Sequence, residues 1–223
     1  MQDCRRNKPP RLAVTGGIGS GKSTALAFLR ELGAATLSSD SLVHEALQEE
    51  LIMTAIGEHF RGTLVHGRID RAALARLVFD DEEERLWLEG LLHPEVRRRI
   101  EAWAAAQSAL THPPDLLAVE VPLLFESAMA DLFDAVLLVT APVDLRRKRT
   151  AAKLGKEDFE RRAAQQMSED EKAGRSDYVV QNTGSAVRLC EDLADVYADV
   201  LAGGPRRNGS GMRTGAGGEG TGR

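Results

Sequence analysis

Residues 11–24 read RLAVTGGIGSGKST. The first five form a short apolar run suited to a buried parallel strand. The end of the stretch continues into KSTALAFLREL, where Leu26, Leu29 and Leu32 recur at helical spacing. Gly33 then stands where a helix C-terminus favours glycine. Between strand and helix, Gly16, four residues, and Gly21-Lys22-Ser23 satisfy the phosphate-binding P-loop pattern. Each residue type has a physical reason. Glycines let backbone N–H groups turn inward around phosphate oxygens. The following helix adds the positive end of its dipole. Lys22 can reach the β and γ phosphates of ATP, and Ser23 can ligate Mg²⁺. Gly17, Ile18, Gly19, Ser20, Gly21, Lys22, Ser23 and Thr24 are therefore the expected ATP-binding residues. A dinucleotide loop is excluded, because G-x-G-x-x-G started at Gly17 or Gly19 needs glycine where Lys22 and Thr24 stand.

Four further apolar runs read as strands: AATL at 34–37, LLAVEV at 116–121, AVLLVT at 135–140 and YVVQ at 178–181. Pro122 and Pro142 stop the second and third. Five short strands separated by helical stretches indicate an α/β fold, a five-stranded parallel sheet with flanking helices. From 42 to about 110 the pattern is helical. Asp70 is placed to cap a helix carrying Leu74, Leu77 and Val78, the acids at 80–84 suit a helix N-terminus, and Pro94 is read as starting a helix through VRRRIEAW. Residues 144–172 are charged and helical in pattern. A last helix, about 185–201, carries Val187, Leu189, Leu193, Val196 and Val200. The tail from 203 has nine glycines in twenty-one residues and is expected to lack order.

The 223 residues suit one domain with inserted subdomains. Lys and Arg number 29 against 34 Asp and Glu, a net charge of −5, which points away from general binding to nucleic acid or to an anionic membrane. Cys4 and Cys190 form no C-x-x-C pair, and the charged N-terminus MQDCRRNKPPR lacks an apolar signal core. A cytoplasmic protein is expected, with no membrane span.

A P-loop implies a nucleotide triphosphate and no particular reaction. No guanine-reading N-K-x-D is present, and a transport ATPase would be longer. A small-molecule kinase remains, with a nucleotide-dependent switch or binding module as the reading from another class. A kinase needs an acceptor site, a group beside the acceptor hydroxyl and a closing segment.

The chain resembles the dephospho-coenzyme A kinase family. The resemblance rests on TGGIGSGKST at 15–24, SSD at 38–40, IDRAALARLVF at 69–79, WLEGLLHPEVR at 87–97, EVPLLFES at 120–127, RRAAQQMSEDEK at 161–172 and VVQNTGS at 179–185. It covers about 11–200. It implies transfer of the γ-phosphate of ATP to the ribose 3′-hydroxyl of dephospho-coenzyme A, the last step of coenzyme A biosynthesis. It also implies a P-loop nucleotide kinase-like fold: a core domain at 9–41, 112–143 and 173–202, a helical acceptor subdomain at 42–111 and a helical lid at 144–172. Residues 203–223 lie outside it.

Residue by residue, Asp40 matches the carboxylate that activates the acceptor hydroxyl. Its other reading is an N-cap for a helix beginning at 41. Relatives carry Asp-Ala-Asp where this chain has Ser38-Ser39-Asp40, so the first carboxylate is missing. Glu120 ends a strand where an acid can orient the metal's outer shell around Ser23. Pro122, Leu123 and Glu126 shape the acceptor pocket, Leu123 and Leu124 also reading as ordinary core. His93 and Arg97, four apart, either meet the acceptor or are a helix-start histidine and a solvated arginine. Arg149 matches a lid arginine that neutralises the transferring group. Lys153 replaces a second arginine and loses its bidentate fork. Asn182 and Gly184 either read the adenine edge or form a plain turn before an N-cap at Ser185. Arg146, Arg147 and Lys148 read as helix surface, and His44, His59, His66 and His112 receive no role. A monomer or small homo-oligomer is expected.

Overall fold

The structure, a computed structural model, describes residues 8–79, 81–152, 155–205, 207–208 and 212–213. In chain order its elements are β1 (Arg11–Thr15), α1 (Lys22–Glu31), β2 (Ala35–Ser38), α2 (Ser39–Ala46), α3 (Glu50–His59), β3 (Leu64–Val65) and β4 (Arg68–Ile69). There follow α4 (Arg71–Phe79), α5 (Glu82–Ser108), β5 (Leu117–Glu120), β6 (Ala135–Thr140), α6 (Val143–Thr150), α7 (Lys156–Ala164), α8 (Glu169–Arg175), β7 (Tyr178–Gln181), α9 (Ala186–Leu201), β8 (Arg207–Asn208) and β9 (Met212–Arg213). The chain divides into two compact units, Met1–Leu37 with Gln107–Arg223, and Ser38–Ala106.

The five apolar runs form one parallel sheet in the order β2-β5-β1-β6-β7. Leu12 registers with both Ala118 and Ala135, and Val139 with Val180. The chain leaves β1 on one side for β2 and β5 and passes to the other for β6 and β7. The carboxyl end of β1 therefore lies at a topological switch point, where ligands of such sheets bind. One face carries Leu12, Val14, Ala118, Leu137, Val139 and Val180, packed on Leu26 and Leu29 of α1 and Leu189, Leu193, Val196 and Val200 of α9. The alternate residues Ala13, Val136 and Leu138 are buried too, as continuous apolar strands require. Val187 departs from the sequence reading. It is 69% exposed, because the stripe of α9 begins at Leu189.

The second unit has its own core of Leu47, Ile52, Ile56, Phe60, Leu74 and Leu92, with Trp87 against it. Asp70 caps α4 as its sequence suggests, its Oδ1 accepting from the N–H groups of Ala72 and Ala73 at 3.0 Å. The β3–β4 hairpin has no counterpart in the sequence pattern. Its strands are two residues long and largely exposed, and its turn places His66 and Gly67 at φ 50° and 72°, the positive pair of a tight hairpin.

Pro94 is the main correction. It does not start a helix. It lies inside α5, which runs unbroken from Glu82 to Ser108. The start lies at Asp81, whose Oδ1 accepts from Glu83 N–H at 3.0 Å and Glu84 N–H at 3.1 Å, with three acids in the first turn. Leu88, Leu92, Val96, Ile100 and Ala104 repeat every fourth residue across Pro94, so one buried stripe continues through it. The carbonyl the ring crowds is that of Gly90, which adds no side chain to the clash.

The glycine-rich tail, expected to lack order, lies partly outside the described residues. Within them, Arg207–Asn208 pairs antiparallel with Met212–Arg213.

A proline inside a helix costs about 3 kcal/mol relative to alanine. Pro94→Ala is expected to raise the urea midpoint, by at most about that amount of stability. A lower midpoint would mean that the ring is itself a packing element of α5.

Candidate active site

The P-loop joins β1 to α1 with no room for side chains at its ends. A Cβ on Gly16 would lie 2.1 Å from the Val139 carbonyl oxygen, and one on Gly21 would lie 2.1 Å from Asn182 Nδ2. Gly21 also holds φ at 99° as it caps α1, a conformation that glycine adopts without strain. Ser20 N–H donates to the Gly17 carbonyl at 3.1 Å, and Ala25 N–H to the Gly21 carbonyl at 2.9 Å, closing the loop onto the helix. Lys22 is almost buried, and its Nζ donates to the Gly17 carbonyl at 3.2 Å. Ile18 N–H donates to Oε1 of Gln166 at 3.3 Å. Ser23 and Thr24 are exposed in the first turn of α1. The hydroxyl of Ser20 is buried and has no hydrogen-bond partner among the described residues.

Asn182 and Arg149 brace this loop. Asn182 Nδ2 donates to the Ser20 carbonyl at 2.9 Å. Arg149 Nη2 donates to Asn182 Oδ1 at 2.9 Å and to its carbonyl at 3.3 Å, and Arg149 Nη1 donates to the Ser20 carbonyl at 3.4 Å. Asn182 itself is fixed by its N–H on the Thr140 carbonyl at 2.8 Å, just past β7. Its amide thus serves the P-loop, a role the sequence did not suggest. Gly184 is exposed at φ 114°, and Ser185 caps α9 by accepting from Arg188 N–H at 3.2 Å.

Arg146, helix surface by its sequence pattern, lies instead against the P-loop. Its side chain is 13% exposed and pairs with Glu169 at 3.4 Å. Its guanidinium lies 5.9 Å over the Phe159 ring, and Nη1 fills the space where a Gly17 Cβ would be, at 2.4 Å. It shares a helix stripe with Arg149 and Thr150, three and four residues on, which is the signal that could have found it. Beside it lies a cavity of about 430 Å³ lined by Thr140, Pro142, Val143, Arg146, Glu169 and Gln181. Arg147 does sit on the surface, paired with Glu160 at 2.5 Å. Lys153 lies outside the described residues.

After β5, which ends at Glu120, the chain turns through Pro122–Glu126. Leu124 is fully buried, whereas Leu123, also read as core, is 37% exposed. The Glu126 carboxylate accepts from Met167 N–H at 2.8 Å and pairs with Lys172 at 3.1 Å.

The helical unit holds the remaining candidates. Asp40 is exposed in the first turn of α2, which begins at Ser39 with Ser38 as its N-cap residue. Asp40 is therefore not the N-cap, and the capping alternative falls. His93 and Arg97 are half-buried on successive turns of α5. Burial pushes the His93 imidazole below its ordinary range, partly offset by Glu89. The neighbouring arginines are structural. Arg98 and then Arg99 bind Glu95 and hold its carboxyl down at about 2, and Arg99 also pairs with Glu45 at 3.2 Å and with Glu49. Two histidines given no role have partners. His44 Nδ1 lies 2.7 Å from Arg71 Nη1 at the edge of a cavity of about 390 Å³, and His59 stacks on Trp87 with centroids 3.8 Å apart. Among the described residues no three His, Cys, Asp or Glu side chains are grouped to hold a metal ion.

The sequence profile of the family "Dephospho-CoA kinase" matches residues 11–188. A dephospho-CoA kinase of Deinococcus radiodurans is 39% identical over 178 residues, covering 79% of this chain and 85% of that protein. One of Thermus thermophilus is 40% identical over 197 residues, covering 87% and 94%. A crystal structure from Thermus thermophilus, 40% identical, superposes with a TM-score of 0.74 over 88% of this chain and 98% of that one. A dephospho-CoA kinase structure from Campylobacter jejuni, 26% identical, gives 0.64 over 86% and 98%.

Asn182→Ala removes one neutral and one charge-assisted hydrogen bond from the loop. At about 0.5–1.5 kcal/mol of stability for a typical bond, the melting temperature should fall by a few degrees, and ATP affinity should fall roughly two- to tenfold in a calorimetric titration as the loop loosens. His93 should be neutral at pH 7. Its folded-state pKa lies below the unfolded value, so its contribution is complete above about 6.5 and is lost as the pH falls. An imidazole NMR titration with a midpoint above 6.5 would contradict this.

Proposed function

The chain belongs to the dephospho-CoA kinase family, and we propose that its P-loop, Arg149 and Asp40 carry that family's reaction. It is a kinase that phosphorylates dephospho-CoA in the last step of coenzyme A biosynthesis. The observation that carries the assignment of its donor site is the braced loop Gly16–Thr24 at the carboxyl end of β1, with Lys22 turned into it.

In the reaction we infer, ATP phosphates take the inward N–H groups of the loop and the start of α1. Lys22 and Arg149 exchange their carbonyl partners, Gly17, Ser20 and Asn182, for phosphate oxygens. A guanidinium is suited to charge spread over a loose transition state. Asp40 accepts the proton of the ribose 3′-hydroxyl as its oxygen bonds to the γ-phosphorus. The bond to the β-phosphate oxygen breaks, and ADP and coenzyme A leave. We assign to the acceptor His93 and Arg97 of the helical unit and, separately, Pro122, Leu123 and Glu126 of the sheet unit, with 42–111 as acceptor subdomain and 144–172 as lid.

Mg²⁺ is the inferred cofactor. The hydroxyl of Ser23 is exposed at the start of α1, and Glu120 ends β5 in register with Val14 of β1. One hydroxyl and one outer carboxylate suit an ion held mainly by phosphates and water. When bound it neutralises phosphate charge. Among the described residues no helix is long and apolar enough to cross a membrane. We infer a cytoplasmic enzyme, a monomer or small homo-oligomer, that works without nucleic acid.

Purified protein should release ADP from ATP and Mg²⁺ only when dephospho-CoA is added, with coenzyme A as the second product. Asp40→Asn should lower kcat roughly 10²-fold or more while the KM for ATP stays within about twofold. Conversion of a nucleoside monophosphate with dephospho-CoA untouched would overturn the acceptor assignment.

A further inference from the structure

Lys172 is buried, its side chain only 1% exposed. Burying an ammonium costs several kcal/mol unless its partners are well placed. Its position is set locally. Ser168 and Glu171 form a capping box at the start of α8, with Glu171 N–H on Ser168 Oγ at 3.3 Å and Ser168 N–H on Glu171 Oε2 at 3.2 Å. Lys172 follows in the first turn, and its side chain reaches the loop after β5. There Nζ meets both ends of one five-residue segment: the Pro122 carbonyl at 3.4 Å and the Glu126 carboxylate at 3.1 Å. Each end has a second tie. Thr15 Oγ1, at the root of the P-loop, donates to the same Pro122 carbonyl at 3.4 Å, and Met167 N–H donates to Glu126 at 2.8 Å. Held at both ends, the segment turns Leu124 fully inward and Leu123 outward. Ser127 N–H closes the turn on the Leu123 carbonyl at 2.9 Å.

We propose that Lys172 is a positioning residue for the acceptor. Stapled between the Pro122 carbonyl and the Glu126 carboxylate, it fixes the 122–126 loop in the shape that presents Leu123 to dephospho-CoA. This rests on the reading that the loop borders the acceptor. Lys172 touches no reacting atom, and its effect is on acceptor binding and orientation. Buried ion pairs are weak sources of stability and better attested as specifiers of geometry, which is the use made of this one.

The test measures kcat, both KM values and melting temperature for Lys172→Met, Leu123→Ala and the double variant Glu126→Gln/Lys172→Met. Lys172→Met should raise the KM for dephospho-CoA roughly tenfold or more, the scale on which small misplacements act, with the KM for ATP within about twofold. The double variant leaves no unpaired buried charge. It should recover the melting temperature while the acceptor KM stays at the raised value of Lys172→Met and goes no higher, a split that neither a merely structural role nor a separate Glu126 contact to the acceptor gives. Should Lys172→Met not fold, the double variant is compared with Glu126→Gln, and an equally raised acceptor KM in the two carries the same readout. An unaltered acceptor KM, an equal rise in both KM values, or recovery of acceptor KM together with stability would overturn the proposal. Leu123→Ala separates the layers. If it leaves the acceptor KM unaltered, the loop does not border the acceptor and the inference falls with that reading. If it raises that KM while Lys172→Met does not, only the role of Lys172 is overturned.

Discussion

The P-loop approaches the end of β6 so closely that a single methyl group at Gly16 would collide with the Val139 carbonyl oxygen, 2.1 Å away. That contact needs β1 and β6 as neighbours, which the order β2-β5-β1-β6-β7 provides. It also needs α1 to begin at Lys22, so that loop N–H groups and the helix dipole point to one place. The core between the sheet and helices α1 and α9 then acts as the rigid base on which the loop is drawn tight. A phosphate grip of this kind depends less on its own side chains than on how firmly its backbone is held.

The holding residues come from far along the chain. Asn182, 162 residues after Ser20, supports its carbonyl, and Arg149 grips both. Arg146 packs on the Gly17 side, and Gln166 takes the N–H of Ile18. Every one of them belongs to β7's exit or to the charged stretch from 143 to 168. These contacts tie the stretch 143–168 to the P-loop itself.

Much of the fold was legible because its signals are local. All five strands announced themselves as apolar runs ended by proline, glycine or polar residues. The caps at Asp70 and Ser185 follow from residue type at a helix start. Pro94 misleads for the same reason. Local propensity makes it a helix start, but a stripe running from Leu88 to Ala104 carries α5 through it, and packing outweighs propensity. The His66-Gly67 hairpin was missed because two-residue exposed strands carry no periodicity.

For the site, the sequence by itself determined the P-loop residues, and by resemblance it marked Asp40, Glu120, Arg149 and Asn182. Those features lie in short contiguous motifs, and a motif of nine residues can be read without knowing its neighbours. Only the tertiary structure decided which neighbours those motifs have. It showed that Asn182 supports a carbonyl, that Arg146 is packed against the loop and largely covered, that Asp40 is not a cap, and that Glu126 is held by a buried lysine. The physical reason is that desolvation and hydrogen bonding are set by what the chain brings together in space. Residues 46 or 162 positions apart in sequence carry no local signal of that meeting.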